Sequence, residues 1–264
     1  MLELRNVTKI FNGGTVNEKV ALDDLTLTLN DGDFVTVIGG NGAGKSTMLN
    51  AIAGTFPVDD GQILIDGVDI TKLPEYKRAK FIGRVFQDPM TGTAGDMWIE
   101  ENMALAERRG KSRGLSWAIS QKDRAHFKEQ LKRLDLGLDE RMSAKVGLLS
   151  GGQRQAITLL MAAMNHPKLL LLDEHTAARD PKPAAKVLSI TREIVEEEKL
   201  TTIMITHNMK DALAHGNRLI MMNAGRIILD VSGEEKAKLT VEDLLSIFAK
   251  SGSDGASNDR MLLV

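Results

Sequence analysis

The chain has no cysteine. That excludes a disulfide framework and any thiolate metal site, and it fits a reducing compartment. Surplus positive charge is missing as well: 34 Lys and Arg stand against 36 Asp and Glu, a net charge of -2. A protein held to nucleic acid by a basic face would show a strong positive excess, so no nucleic-acid partner is expected. Long apolar runs are absent too. The longest, such as Ala156–Met164, fall far short of the roughly 18–20 residues that span a bilayer. The opening "MLELRNVTKIF" has no apolar segment of a secretory leader, and no internal repeat is visible. The expectation is a soluble, cytoplasmic chain that any membrane partner would have to hold in place.

What is present suits a globular α/β protein. With 264 residues, 42% hydrophobic and 27% charged, the chain can bury a full core in one large domain or two small ones. The first thirty residues read as strands: "TLTL" (Thr26–Leu29) alternates, and "NDGD" (Asn30–Asp33) is a turn. "FVTVI" (Phe34–Ile38) reads as a buried strand, and "STMLNAIAG" (Ser46–Gly54) as a helix closed by Gly54. Hairpins are expected at "GQILIDGVDI" (Gly61–Ile70) and "RLIMMNAGRIILD" (Arg218–Asp230). "QKDRAHFKEQLKRLDLGL" (Gln121–Leu138) spaces Phe127, Leu131, Leu134 and Leu138 as one helix face, with Ser120 and Asp123 as a capping box. "KLLLLDE" (Lys168–Glu174) and "TTIMITH" (Thr201–His207) are further strands. "SGSDGASNDR" (Ser251–Arg260) is expected to be disordered.

"GGNGAGKST", comprising Gly39, Gly40, Asn41, Gly42, Ala43, Gly44, Lys45, Ser46 and Thr47, lies between a predicted strand and a predicted helix. In that context G-x-x-x-x-G-K-[ST] is a phosphate cradle. The glycines let backbone N–H groups face phosphate oxygens, and the helix terminus adds partial positive charge. Lys45 is expected on the β- and γ-phosphates and Ser46 on Mg²⁺. The four leucines before Asp173 and Glu174 make a buried strand that delivers two carboxylates at its end. Asp173 is then the metal partner and Glu174 the base for an attacking water. A pair that merely starts a helix is the other reading. "LLSGGQRQ" adds a puzzle, because Ser150, Gly151 and Gly152 at a helix mouth form a second oxyanion receptor, or only a capped helix start.

The order of these elements resembles the ATP-binding cassette (ABC) ATPases over nearly the whole chain, from Leu2 to about Asp230. "LSGGQ" (Leu149–Gln153) is similar to the family signature. Gln87 in "VFQDP" resembles the Q-loop glutamine, Asp180 in "AARDP" falls in the D-loop, and His207 in "ITHNM" resembles the switch histidine. Phe11 resembles the adenine-stacking aromatic, with a core residue beside Val7 and Ile10 as the other reading. The resemblance implies that Ser150, Gly151, Gly152 and Gln153 close over ATP held by a second copy, and that Asp180 lies at the same seam. It implies catalytic roles for Glu174, His207 and Gln87, with Gln87 also near the metal. His126, His166, His175 and His215 have no ligand spacing with His207.

By the same resemblance the fold is α/β: a P-loop NTPase core with an N-terminal antiparallel β subdomain and an inserted α-helical subdomain. Residues 1–88 and 165–248 would form the core, 89–164 the helical signature subdomain, and 249–264 a disordered tail. The implied cofactors are ATP and Mg²⁺. The implied partners are a second ATPase subunit in an ATP-dependent homodimer, an integral membrane permease and, through it, an extracytoplasmic solute-binding protein. The chain would sit peripherally on the cytoplasmic face of the membrane and drive solute import. The run from Gly216 to Phe248 resembles importers of amino-acid-type solutes. An exporter module and a non-transport assembly factor are the alternatives. His175 and Arg179 depart from the family pattern; Arg179 either retunes dimer closure or turns to solvent. Met97, Trp98 and Ile99 either meet the permease or belong to the core. The run Arg108, Arg109, Lys111 and Arg113 either faces anionic lipid or is solvated.

Overall fold

The computed structural model describes residues 1–111, 119–174 and 181–251. In chain order the elements begin with β1 (Leu2–Phe11), β2 (Lys19–Leu29), β3 (Phe34–Ile38), α1 (Lys45–Ala53), β4 (Asp60–Ile65), β5 (Val68–Asp69) and α2 (Glu75–Arg78). Then follow β6 (Ile82–Val85), α3 (Ile99–Glu107), α4 (Gln121–Lys132), α5 (Gly151–Ala163), β7 (Leu169–Asp173) and α6 (Pro181–Glu197). The chain continues with β8 (Thr202–Ile205), α7 (Met209–Ala214), β9 (Arg218–Asn223), β10 (Arg226–Ser232), α8 (Gly233–Lys238) and α9 (Val241–Lys250). They divide into two units, Met1–Arg78 with the chain from Lys199 onward, and Ala79–Glu198.

In the first unit, alternation builds an antiparallel sheet in the order β2-β1-β4-β5. Leu25, Leu27 and Leu29 are buried while Thr26 and Thr28 between them are exposed, as the period of two demands. Asp66 and Gly67, at φ 49° and 74°, make the tight turn that joins β4 to β5. A second group of strands has β3 parallel to both β8 and β9, with β10 returning antiparallel to β9. All five residues of β3 are buried, which explains its unbroken apolar run. Helices α7 and α9 close this group through Ile38, Met209, Leu219, Met221, Leu244 and Phe248.

Helix α1 ends at Gly54 in the left-handed region, as its sequence predicts. A residue outside any recognised motif secures that end. The Arg78 guanidinium donates to the carbonyls of Ala51 (2.7 Å), Ile52 (2.8 Å), Thr71 (2.8 Å) and Leu73 (2.7 Å). Ala51 and Ile52 are last-turn carbonyls of α1, where a buried cation complements the helix dipole. Burial lowers the Arg78 pKa from its ordinary value.

In the second unit β6 and β7 pair in parallel, and α5 packs against α3, α6 and β6. The helix expected over Gln121–Leu138 is shorter: α4 begins at the Ser120–Asp123 capping box but stops at Lys132. Asp135 (φ 52°) and Gly137 (φ 65°) take left-handed conformations that no α-helix continues through. Leu134 and Leu138 are nonetheless fully buried, so apolar spacing reported burial correctly and helix length incorrectly. Arg109 of the basic run turns inward and donates to the Ala162 carbonyl near the end of α5 (2.8 Å). Ile99 is core, whereas Trp98 is 42% exposed.

The class is the expected α/β with an antiparallel β subdomain and a helix-rich stretch. No helix among the described residues is long and apolar enough to cross a membrane. Arg113, His175, Arg179, Asp180 and the tail from residue 252 lie outside the described residues.

Candidate functional site

The cradle belongs to the first unit. Strand β3 carries the chain through the core and α1 begins at Lys45, so Gly39–Gly44 must turn sharply between them. Gly39 has φ 151°, and a Cβ there would lie 2.3 Å from the Met222 carbonyl oxygen. Gly44 has φ 102°, and a Cβ there would lie 2.6 Å from the Ala21 carbonyl oxygen. No side chain other than glycine fits at either position. The turn between β9 and β10 fastens the loop, with Gly225 N–H donating to the Ala43 carbonyl (3.0 Å).

The Lys45 ammonium is buried and folds back on its own loop, donating to the carbonyls of Gly39 (2.7 Å) and Gly40 (3.0 Å). No side chain caps α1, and no acidic residue stands in its first turn. A helix start with glycines before it, a lysine within it and no acid of its own suits an exogenous anion. Ser46 is exposed in that first turn, while Asn41 and Gly42 form the exposed rim of the loop.

Phe11 ends β1 and is partly buried, its ring meeting Phe56 edge-on at 5.4 Å and 83°. Lys9 lies 5.5 Å and 5.6 Å from the two ring centres and pairs with Asp59 at 3.1 Å. The Ile10 N–H, and after it Lys9, hold the Asp59 carboxyl below its usual range. Phe11 is therefore braced from several directions. Lys9, Phe56 and Asp59 escaped the sequence reading, because nothing local marks residues that meet only across a sheet.

The second unit carries the acidic pair. The buried leucines of β7 deliver Asp173 at the strand end and Glu174 just beyond it. Glu174 adopts φ 45°, a left-handed conformation that costs about 1 kcal/mol for a residue with a Cβ. It is 9% exposed, and its Oε2 accepts from Gln87 Nε2 at 2.9 Å. Two residues predicted for catalysis are thus brought together across 87 positions of sequence. His207 follows β8 in the first unit and is partly exposed; Asn208 after it caps α7 by accepting from the N–H groups of Lys210 and Asp211.

The signature also lies in the second unit. Ser150 caps α5, its Oγ accepting from Gln153 N–H (3.3 Å) while Gln153 Oε1 accepts from Ser150 N–H (3.2 Å). Ser150 and Gly151 are exposed, and Gly152 and Gln153 partly so. A Cβ on Gly151 would meet nothing within 4 Å. Nothing among the described residues requires glycine there.

Ser46 in the first unit and Asp173 in the second each carry an oxygen donor, and among the described residues no group of three or more His, Asp or Glu gathers into a cage. Few, hard oxygen ligands are the donor set of Mg²⁺ carried on nucleotide phosphates, and each of these two groups is by itself a donor of that kind.

Comparison with known proteins supplies the family. Residues 22–177 match the model of the ABC transporter family. The chain is 44% identical over 248 residues to a tyrosine transport ATP-binding protein of Clostridioides difficile, covering 94% of this chain and 98% of that one. It is 35% identical to the spermidine/putrescine import ATP-binding protein PotA of Haemophilus ducreyi, over 89% of this chain and only 59% of that protein's length. Among solved structures it resembles a dimeric ATP-binding cassette in a post-hydrolysis state with ADP and Pi. The TM-score is 0.75 and the identity 30%, over 88% of this chain and 98% of that chain. With the family model matched over residues 22–177 and the tyrosine transport relative matched over 98% of its length, the chain belongs to the ABC transporter family and is an ATP-binding, ATP-hydrolysing cassette of it.

Proposed function

We propose that this cassette powers a solute importer, pairing with a second copy around two ATP molecules beneath a separate integral membrane permease. The tyrosine transport relative supports an amino acid as cargo, tyrosine first among them, handed over by an extracytoplasmic binding protein. Residues 89–164 act as the helical signature subdomain, on a core formed by 1–88 and 165–248.

One observation carries the pairing: Gly151, exposed beside an exposed Ser150, meets nothing among the described residues that requires glycine. A side chain there would stand where another molecule approaches. The Ser150 hydroxyl accepts from Gln153 N–H and retains its own proton to donate outward. A phosphate presented by a second copy would meet that proton and the first-turn N–H groups of α5.

In the proposed cycle Lys45 exchanges its loop carbonyls for the β- and γ-phosphates, and Phe11 stacks on the base. Glu174 exchanges the Gln87 amide for a water molecule and takes its proton as that water attacks the γ-phosphorus, whose bond to the β–γ bridging oxygen breaks so that ADP leaves with that oxygen and phosphate is formed. His207 donates a hydrogen bond to the γ-phosphate. Mg²⁺, held by Ser46, Asp173 and Gln87, would neutralise charge on the phosphate oxygens. Ser150, Gly151, Gly152 and Gln153 of one copy cover the triphosphate of the other, with Asp180 at the seam, excluding water from the transferring group.

Glu174→Gln tests this reading. With ATP and Mg²⁺ the variant should turn over at least about a hundredfold more slowly and elute from gel filtration as a dimer. Adding Ser150→Arg should return it to monomer while ATP still binds. Wild-type turnover in Glu174→Gln would remove the assigned base, and a dimer that survives Ser150→Arg would remove the pairing.

A further inference from the structure

Lys19 opens β2 directly opposite Phe11, so the two side chains share one face of the sheet. Its ammonium lies above the exposed rim of the cradle: a Cβ on Gly42 would sit 3.1 Å from Lys19 Nζ. The side chain is exposed and has no carboxylate or carbonyl partner among the described residues. Its neighbours are differently placed. Lys9 is committed to Asp59 and the two rings, Lys45 to the loop carbonyls, and Glu18 accepts from Gly14 N–H. An unpaired cation is thus held between the aromatic platform and the phosphate loop. The connection from Asn12 to Glu18 keeps it there through bonds from Thr15 N–H to Asn12 O and Glu18 N–H to Thr15 O (both 3.1 Å).

We propose that Lys19 is a nucleotide-positioning residue whose ammonium binds the α-phosphate. The inference rests on the reading that Phe11 carries the base while Gly39–Thr47 holds the terminal phosphates. Between base and β-phosphate a nucleotide has only its ribose and α-phosphate, and of these the α-phosphate carries the charge that a lone ammonium seeks. Because this group is shared by ATP and ADP, Lys19 secures the nucleotide before and after hydrolysis alike. It contributes affinity without discriminating substrate from product.

The test is equilibrium binding of ADP and ATP to Lys19→Met, Lys19→Arg and Lys45→Ala, each at low salt and at about 0.5 M salt. Lys19→Met should weaken both nucleotides by the same factor, roughly three- to tenfold at low salt. That loss should shrink at high salt, and Lys19→Arg should bind like the wild type. Unchanged affinity in Lys19→Met beside lost affinity in Lys45→Ala would overturn the role of Lys19 alone. A loss equal at both salt concentrations would also overturn it, since that marks a disturbed Phe11 rung rather than a missing charge. Undiminished binding in Lys45→Ala would instead remove the cradle reading beneath it.

Discussion

Helices α1 and α5 both begin beside glycine and both could receive an anion, yet the chain treats their first turns in opposite ways. At α1 the two glycines that matter are forced by the backbone, no side chain caps the terminus, and Lys45 is buried within it. At α5 a reciprocal Ser150–Gln153 box satisfies the terminus, and Gly151 has open space around it. The first device has no side-chain cap and is shaped by its own fold. The second is already complete as a helix start, and under the proposed pairing its smallness serves a second copy. On that proposal glycine has two meanings here, internal fit in one place and clearance in the other.

The largest expected effect would break that contrast at its internal end. Gly44→Ala forces a methyl group to within 2.6 Å of the Ala21 carbonyl oxygen at a positive φ. Urea unfolding should show a loss of about 3 kcal/mol, and ATP should no longer bind. A loss below about 1 kcal/mol would mean that the loop is not as constrained as its geometry requires. Ser150→Ala comes next. Losing the cap should cost about 1 kcal/mol of stability, while the defect in turnover should exceed what that fraction of unfolded protein explains. Gly151→Ala should be the smallest for stability and the most informative for function. Alanine suits a helix better than glycine, so the variant should be unchanged or up to about 1 kcal/mol more stable. Turnover should nevertheless fall by about tenfold or more, because a methyl group then stands in the approach. A stable Gly151→Ala protein with full activity would show that this clearance has no use.

Legibility followed the range of the interactions. The strand–loop–helix at Gly39–Thr47 was legible because its glycine spacing and helix start fall within nine consecutive positions. The Ser120–Asp123 box, the closure of α1 at Gly54 and the two-residue turns were readable for the same reason. The end of α4 was misread because apolar spacing reports which side chains are buried, and Leu134 and Leu138 stay buried after the backbone has left the helix. The brace around Phe11, the Arg78 clasp on α1 and the Gln87–Glu174 bond were not legible. Each joins residues that carry no mutual signal along the chain.

The sequence by itself determined which segments could receive phosphate, since spacing, small size and one lysine express that chemistry locally. Tertiary structure alone decided why Gly39 and Gly44 are obligatory, because the atoms that exclude a side chain belong to Met222 and Ala21. It likewise decided that Lys9 and Lys45 are already spent while Lys19 stands open at the rim among the described residues, since a charge is neutralised by what folding brings beside it.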